Sequence, residues 1–238
     1  MSPATGARVV SLVPSVTESL LAWGITPVAV TRFCEHPELP AVGGTKNPDV
    51  AAIVALRPDL VVLNDEENRV EDHDALVAAG LGVHVVVVRS VDDVALSLRA
   101  LARAVGVREG AATPVVGAPF DRDPPVRARA FVPIWRRPWM SLARDTYGAS
   151  VLRRLGVVGV FDDAGARYPE VSLDDVAARR PDLVVVPDEP YAFRPVHLEE
   201  LAAVAPVVAV DGRDLFWWGT RTAAALDRLA AAVAPWVR

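Results

Sequence analysis

The chain has one cysteine, Cys34, in 238 residues, which excludes an internal disulfide and any multi-cysteine zinc module. It also lacks a basic excess. A formal charge of −5 is the wrong sign for a nucleic-acid partner, because phosphate binding needs a dense basic face. Short clusters such as Arg136-Arg137 and Arg153-Arg154 read as solvated surface. No run approaches the ~18 consecutive apolar residues that a spanning helix requires, so no membrane insertion is expected. Met1 to Ala7 carries no basic cluster, and the first apolar run, Val9 to Val13, meets Pro14 at once. Neither an export signal nor a lipid-attachment cysteine is read there, and the expected location is cytoplasmic. Absent too are a nucleophile elbow, a glycine-rich phosphate loop and a His-Glu-x-x-His helix, which argues against an enzyme.

What is present is a repeat. Arg57-Pro58-Asp59-Leu60-Val61-Val62 returns as Arg180-Pro181-Asp182-Leu183-Val184-Val185. In each copy a short helix ends at the proline, an apolar run of strand length follows, and a polar loop closes it. A helix, a buried strand and a loop at the strand's carboxyl end make a βαβ element whose loop faces a ligand crevice. With 52% apolar and 23% charged residues the chain can bury a core in each half. The expected fold is α/β, with two Rossmann-like lobes of parallel strands and a ligand cleft between them. Lobes over residues 1–106 and 128–238 flank a connector, 107–127, interrupted by Pro114, Pro119, Pro124 and Pro125.

In the first lobe, strand Arg8 to Val13 turns into a helix at Ser15, which has capping-box spacing to Glu18 and is also a ligand-binding candidate, and Gly24 closes that helix. Phe33-Cys34-Glu35-His36 is a loop rich in reactive side chains. Gly43-Gly44-Thr45-Lys46-Asn47-Pro48 is expected as irregular backbone whose glycines let a ligand approach. Asn64, Glu66, Glu67, Asn68 and Arg69 crowd the end of the first repeat strand. The later helix from about Asp92 puts Val94, Leu98, Leu101 and Val105 on one face, and the last helix does so with Thr222, Leu226, Leu229 and Val233.

The second lobe collects aromatic and charged loop residues: Trp135, Arg136, Trp139, Arg144, Tyr147, Tyr168, Glu189, Tyr191, Phe216, Trp217 and Trp218. Aromatics in loops are expected to line a binding cleft. Cys34 and His36 are the metal-ligand candidates, either one offering an axial thiolate or imidazole to an iron or cobalt centre; a packed cysteine beside a loop histidine is the alternative. His73, His84 and His197 fall in helix or strand positions. The Asn64 to Arg69 loop suits hydrogen bonds to an amide or carboxylate rim, or the holding of a cation, or equally a solvated cap of the next helix. Arg144 suits bidentate carboxylate recognition, or a local pair with Asp145. The acids Glu66-Glu67 and Asp188-Glu189 leave open a cytoplasmic enzyme acting on a small molecule.

The stretches Val9-Val10-Ser11-Leu12-Val13-Pro14-Ser15-Val16-Thr17-Glu18 and Gly43-Gly44-Thr45-Lys46-Asn47-Pro48-Asp49, with the two repeat strands, resemble the helical-backbone binding proteins of ABC importers. That family includes vitamin B12, haem and siderophore receptors. Phe216-Trp217-Trp218 falls where its B12 members place an aromatic pair against the corrin. The similarity is strongest to members labelled cobalamin-binding that lack an export signal. The resemblance implies a receptor that binds a metal chelate without covalent chemistry, a corrinoid first and haem or a ferric siderophore second. No cofactor is required; the tetrapyrrole would be the ligand. Two features depart from the family. The connector is too interrupted for the family's long interlobe helix, which is expected to be shortened or broken. Ala51-Ala52 stands where importer-docking receptors present a glutamate, which puts docking to an ABC importer in doubt.

Overall fold

The computed structural model describes residues 7–107 and 124–237, which form two compact α/β units. The first holds residues 7–88, 92–107 and 218–220; the second holds 89–91, 124–217 and 221–237. All but the ends of the expected connector lies outside the described residues.

The chain begins with β1 (Val9–Ser11), α1 (Pro14–Ala22), β2 (Ala29–Val30), β3 (Gly43–Gly44), β4 (Asn47–Pro48), α2 (Val50–Leu56), β5 (Leu60–Asn64), α3 (Val70–Ala78), β6 (Val83–Val86) and α4 (Val91–Ala104). Strands β2, β1, β5 and β6 lie side by side in that order, every pair parallel. Then come β7 (Ala128–Phe131), β8 (Trp139–Met140), α5 (Tyr147–Arg154), β9 (Val157–Gly159), β10 (Glu170–Val171), α6 (Leu173–Ala178), β11 (Leu183–Pro187), α7 (Pro195–Ala202), β12 (Val207–Val210), α8 (Gly212–Phe216) and α9 (Thr222–Val233). Their sheet runs β9, β7, β11, β12, again all parallel. Counted by order of appearance, both sheets have the strand order second, first, third, fourth, so the repeat read from the sequence is a repeat of topology.

The two copies also share their joints. Arg57 and Arg180 both take left-handed backbone, φ 46° and 49°, just before the proline that disfavours right-handed helix at its predecessor. The carboxylate of Asp59 accepts the Arg8 N–H at 2.7 Å, and that of Asp182 accepts the Arg129 N–H at 2.7 Å. Each aspartate thus fixes the start of its own repeat strand against the first strand of its sheet.

The repeat strands are buried on both faces, Val61 with Val62 and Val184 with Val185 all at 0% exposure, as continuous apolar runs in parallel sheets require. Val10, Leu12, Val61, Leu63, Ile53 and Leu76 form one core, and Phe131, Val184, Val186, Val176 and Leu201 form another. The two helical stripes expected from the sequence are buried: Val94, Leu98, Leu101 and Val105 on or beside α4, and Thr222, Leu226, Leu229 and Val233 on α9.

Some local expectations are corrected. Helix α1 starts at Pro14, not at a capping box: Val13 is its N-cap, with no side-chain hydrogen bond, and Ser15 lies inside the first turn. Its other end is as read, since Gly24 at φ +77° lets Gly24 and Ile25 donate back to Leu21 and Leu20, each at 2.9 Å. Residues 43–48 are not irregular. They form the antiparallel hairpin β3–β4, and the close approach that the glycines allow is by the chain itself. A Cβ on Gly43 would lie 2.6 Å from the Asn47 carbonyl oxygen, and one on Gly44 would lie 2.6 Å from Asn47 Oδ1.

Candidate functional site

In each sheet the first strand is flanked on one side by the second and on the other by the third. The order in which strands are added switches sides there while all strands stay parallel, and ligands of open α/β sheets bind beside the carboxyl ends of those central strands. In the first unit these ends lead into α1 and into residues 64–69. In the second they lead into residues 132–146 and 188–194.

In the first unit the amides are committed to the fold. Asn64 Oδ1 accepts from the N–H groups of Glu66 and Glu67 at 2.9 and 3.2 Å, and Asn68 Oδ1 accepts from Asn64 N at 2.8 Å. Asn68 Nδ2 donates to Thr45 O at 2.8 Å and to Leu12 O at 3.4 Å, tying the hairpin to the end of β1. Both asparagines are buried. Arg69 makes a bidentate pair with Asp72, both contacts 2.9 Å. The Lys46 ammonium donates to the Glu66 carbonyl. Thr45 is half-buried, while Lys46 and Asn47 are exposed at the hairpin turn.

Cys34 and His36 point to different partners. The thiol lies 3.3 Å from Thr17 Oγ1 and 3.6 Å from Thr31 Oγ1, whereas His36 Nδ1 faces Glu38 Oε1 at 3.0 Å. Among the described residues no group of three or more His, Cys, Asp or Glu side chains is placed to hold a metal ion. Phe33 and Glu35 are exposed, and the Arg32 guanidinium lies over the Phe33 ring at 5.1 Å. The other histidines sit as expected, His73 in α3, His84 in β6 and His197 in α7.

The second unit brings its aromatics together. Trp135 meets Tyr191 edge-on at 5.2 Å, Tyr191 meets Phe193 at 4.8 Å, and Phe193 stacks on Trp139 at 5.9 Å and 7°. Arg136 lies over the Trp139 ring at 5.4 Å and is clamped by Glu200, with contacts of 2.7 and 2.9 Å to its carboxylate oxygens. Trp139 is therefore packed by Phe193 and Arg136, whereas Trp135 stays 44% exposed. His197 backs the cluster, 5.9 Å from Tyr191 and 6.2 Å from Phe193. Burial, and after it the charges of Arg136 and Arg194, pull its pKa below the usual histidine value. Neither Phe193 nor Glu200 was singled out in the sequence, although their spacing of two from Tyr191 and three from His197 was visible.

The remaining candidates divide. Tyr147 is buried, its hydroxyl 3.1 Å from Thr222 Oγ1, and burial raises its pKa. Trp218 is buried. Phe216 is half-buried against Gly148. Trp217 lies under the Arg221 guanidinium at 5.6 Å and hydrogen-bonds Glu189, whose pKa is raised by burial despite that bond. Asp188 accepts from Gly212 N at 2.7 Å. Arg144 and Tyr168 are exposed. The sequence reading missed Asp214, a buried carboxylate that Arg221 holds at 2.9 Å and Arg228 at 2.6 Å.

Comparison with known proteins bears out the resemblance read from the sequence. Residues 9–115 match the family described as periplasmic binding protein. A vitamin B12-binding protein of Salmonella choleraesuis is 27% identical over 190 residues, which is 75% of this chain and 71% of that protein. The crystal structure of the periplasmic vitamin B12 binding protein BtuF of Vibrio cholerae superposes with a TM-score of 0.78 at 23% identity, covering 97% of both chains. The periplasmic haem-binding protein BhuT, in complex with two haems, gives 0.81 at 21% identity over 98% of this chain and 99% of its own. These neighbours share the two-lobed α/β fold. They also correct the expectation of a cytoplasmic protein, because they are periplasmic. An export signal is cleaved from the mature chain, so the residues at the start of a sequence are poor evidence of compartment.

Proposed function

We propose that this chain is a non-catalytic receptor for a metal tetrapyrrole, a corrinoid in the first place. The observation that carries the reading is the aromatic chain Trp135–Tyr191–Phe193–Trp139, in which an exposed indole is held on a packed base at the carboxyl end of the second sheet. A flat macrocycle gains most from such a surface, since an indole face offers a large apolar area and loses little conformational freedom on binding. The vitamin B12-binding relatives, aligned over three quarters of the chain, favour the corrinoid. The haem-binding neighbours support haem as the second reading. Cys34 or His36 would supply at most one axial ligand, and the macrocycle is cargo, not a cofactor.

The acids noted in the sequence fit this reading without chemistry. Asp188 accepts from the Gly212 N–H and Glu189 hydrogen-bonds Trp217, so both carboxylates are engaged by their own unit. Delivery to an importer would proceed without a glutamate at the start of α2, where Ala51 is exposed. Equilibrium titration with cobalamin, followed by recovery of the ligand, tests the proposal. A saturable complex that releases cobalamin unchanged supports a receptor; conversion of the ligand during incubation would make the chain an enzyme.

A further inference from the structure

Among the hydroxyls around the start of α1, one stands apart. Thr17 Oγ1 donates to Ser11 Oγ at 2.9 Å, Ser11 Oγ donates to Val13 O at 3.0 Å, and Ser19 Oγ donates to Ser15 O at 3.0 Å. Ser15 Oγ has no hydrogen-bond partner, although Ser15 is only 3% exposed. A buried hydroxyl left unbonded is costly, so Ser15 Oγ points to a partner from outside the chain.

The backbone there is equally unprovided. Val13 offers no side-chain cap, Pro14 has no N–H, and the helical ladder begins with Thr17 N donating to Val13 O at 3.0 Å. The N–H groups of Ser15 and Val16 therefore lie outside the ladder, at the positive end of the helix dipole. Side chains on a helix lean toward its N-terminus, which brings the Ser15 hydroxyl to those same N–H groups. The helix starts directly beyond β1, at the reversal point of the first sheet, where Asn68 ties Leu12 to Thr45 beside Lys46. Lys46 is the only lysine of the chain.

We propose that the N-terminus of α1 and the Ser15 hydroxyl together receive an oxyanion, a carboxylate or phosphate carried on the rim of the bound ligand. The inference rests on the tetrapyrrole reading and deepens it, because it selects among macrocycles by their anionic groups. Three donors would converge on one oxyanion: Ser15 Oγ and the N–H groups of Ser15 and Val16. Away from water such charge-assisted bonds are stronger than neutral ones, so the site discriminates against a neutral rim.

The test compares ligands that differ in that group. Haem and its dimethyl ester differ in free carboxylates; cobinamide phosphate and cobinamide differ in the phosphate. The wild type is expected to bind the anionic member of at least one pair about ten-fold or more tightly, and Ser15→Ala to bring that ratio toward one while leaving the neutral member's affinity unchanged. A preference confined to the haem pair assigns a carboxylate, and one confined to the cobinamide pair a phosphate. Ratios near one in both pairs, or a ratio that a folded Ser15→Ala retains, overturn the site while leaving the receptor reading intact. The wild-type ratios are read first, so the site can be overturned even if the variant fails to fold. If no tetrapyrrole binds, the receptor reading falls by itself, and inorganic phosphate then probes the site. A thermal midpoint raised by phosphate, but not by chloride of equal ionic strength, keeps the site; no such rise overturns it.

Discussion

The carboxylate of Asp59 accepts the backbone N–H of Arg8 at 2.7 Å, across 51 positions of sequence. Its counterpart in the second unit is the bond from Arg129 to Asp182. In both, the main-chain N–H of the aspartate donates back to the carbonyl of that same arginine, at 2.9 and 2.8 Å. The pair forms a closed loop of two bonds that pins the register of the first strand to the third.

Asp59→Ala is expected to cost about 1 kcal/mol, the usual net worth of one partly exposed hydrogen bond, and Asp59→Asn, which keeps the acceptor, much less. The loss is local. Amide exchange should quicken along β1 and β5 and stay unchanged in β7 and β11, with Asp182→Ala giving the reverse pattern. Equal quickening in both units would show that the aspartates do not act as separate joints.

Gly43 is held at φ +90°, and a Cβ there would sit 2.6 Å from the Asn47 carbonyl oxygen and 3.0 Å from the Asp49 nitrogen. Gly43→Ala should therefore destabilise the first unit by roughly 1–3 kcal/mol, from left-handed strain and from the clash with backbone that closes the hairpin. Chemical denaturation checks it. A midpoint equal to wild type would mean that the hairpin opens without consequence.

The two indoles of the aromatic cluster should part company on mutation. Trp135→Ala, at the exposed end, is expected to weaken tetrapyrrole binding by about ten-fold or more while leaving the thermal midpoint nearly unchanged. Trp139→Ala removes a ring packed by Phe193 and Arg136 and should lower the midpoint as well. Paired calorimetry and thermal melts distinguish them, and a Trp135→Ala variant with full affinity would remove that residue from the site.

Stability should decline in mild acid because of His197. Its pKa in the fold lies below the value of about 6.5 that it takes in the unfolded chain. Below that pH the unfolded state binds more protons than the native state, so stability falls as pH drops through about 6.5 until the folded imidazole itself protonates. Above about pH 7 the group contributes no slope. Thermal midpoints from pH 5 to 8 should show a steeper acid limb in wild type than in His197→Asn, and identical limbs would assign the slope to other groups.

What a sequence exposes is mostly local. The repeat strands, the helical stripes of α4 and α9 and the closure of α1 at Gly24 are legible because each follows from local periodicity or from one residue's permitted backbone. Ser15 is misplaced as a cap because Pro14 already occupies the first helical position, and a proline preceding a Ser-x-x-Glu pattern outweighs the capping box. Asn64 and Asn68 look like ligand groups in a polar loop, yet their amides bridge β1, β5, β6 and the hairpin. Such long-range bonds leave no local pattern. The clamp of Asp214 by Arg221 and Arg228, and that of Arg136 by Glu200, 64 residues away, stay hidden for the same reason. The compartment goes wrong on different grounds, because the start of the chain says less about it than the relatives do.

The most direct test of the receptor reading is a visible-spectrum titration of the purified protein with aquocobalamin, cobinamide and haem, with Trp135→Ala in parallel. The account predicts a saturable one-to-one spectral change with at least one of these macrocycles, weakened in Trp135→Ala, and recovery of the ligand unaltered after denaturation. No spectral or thermal response to any of the three would contradict it.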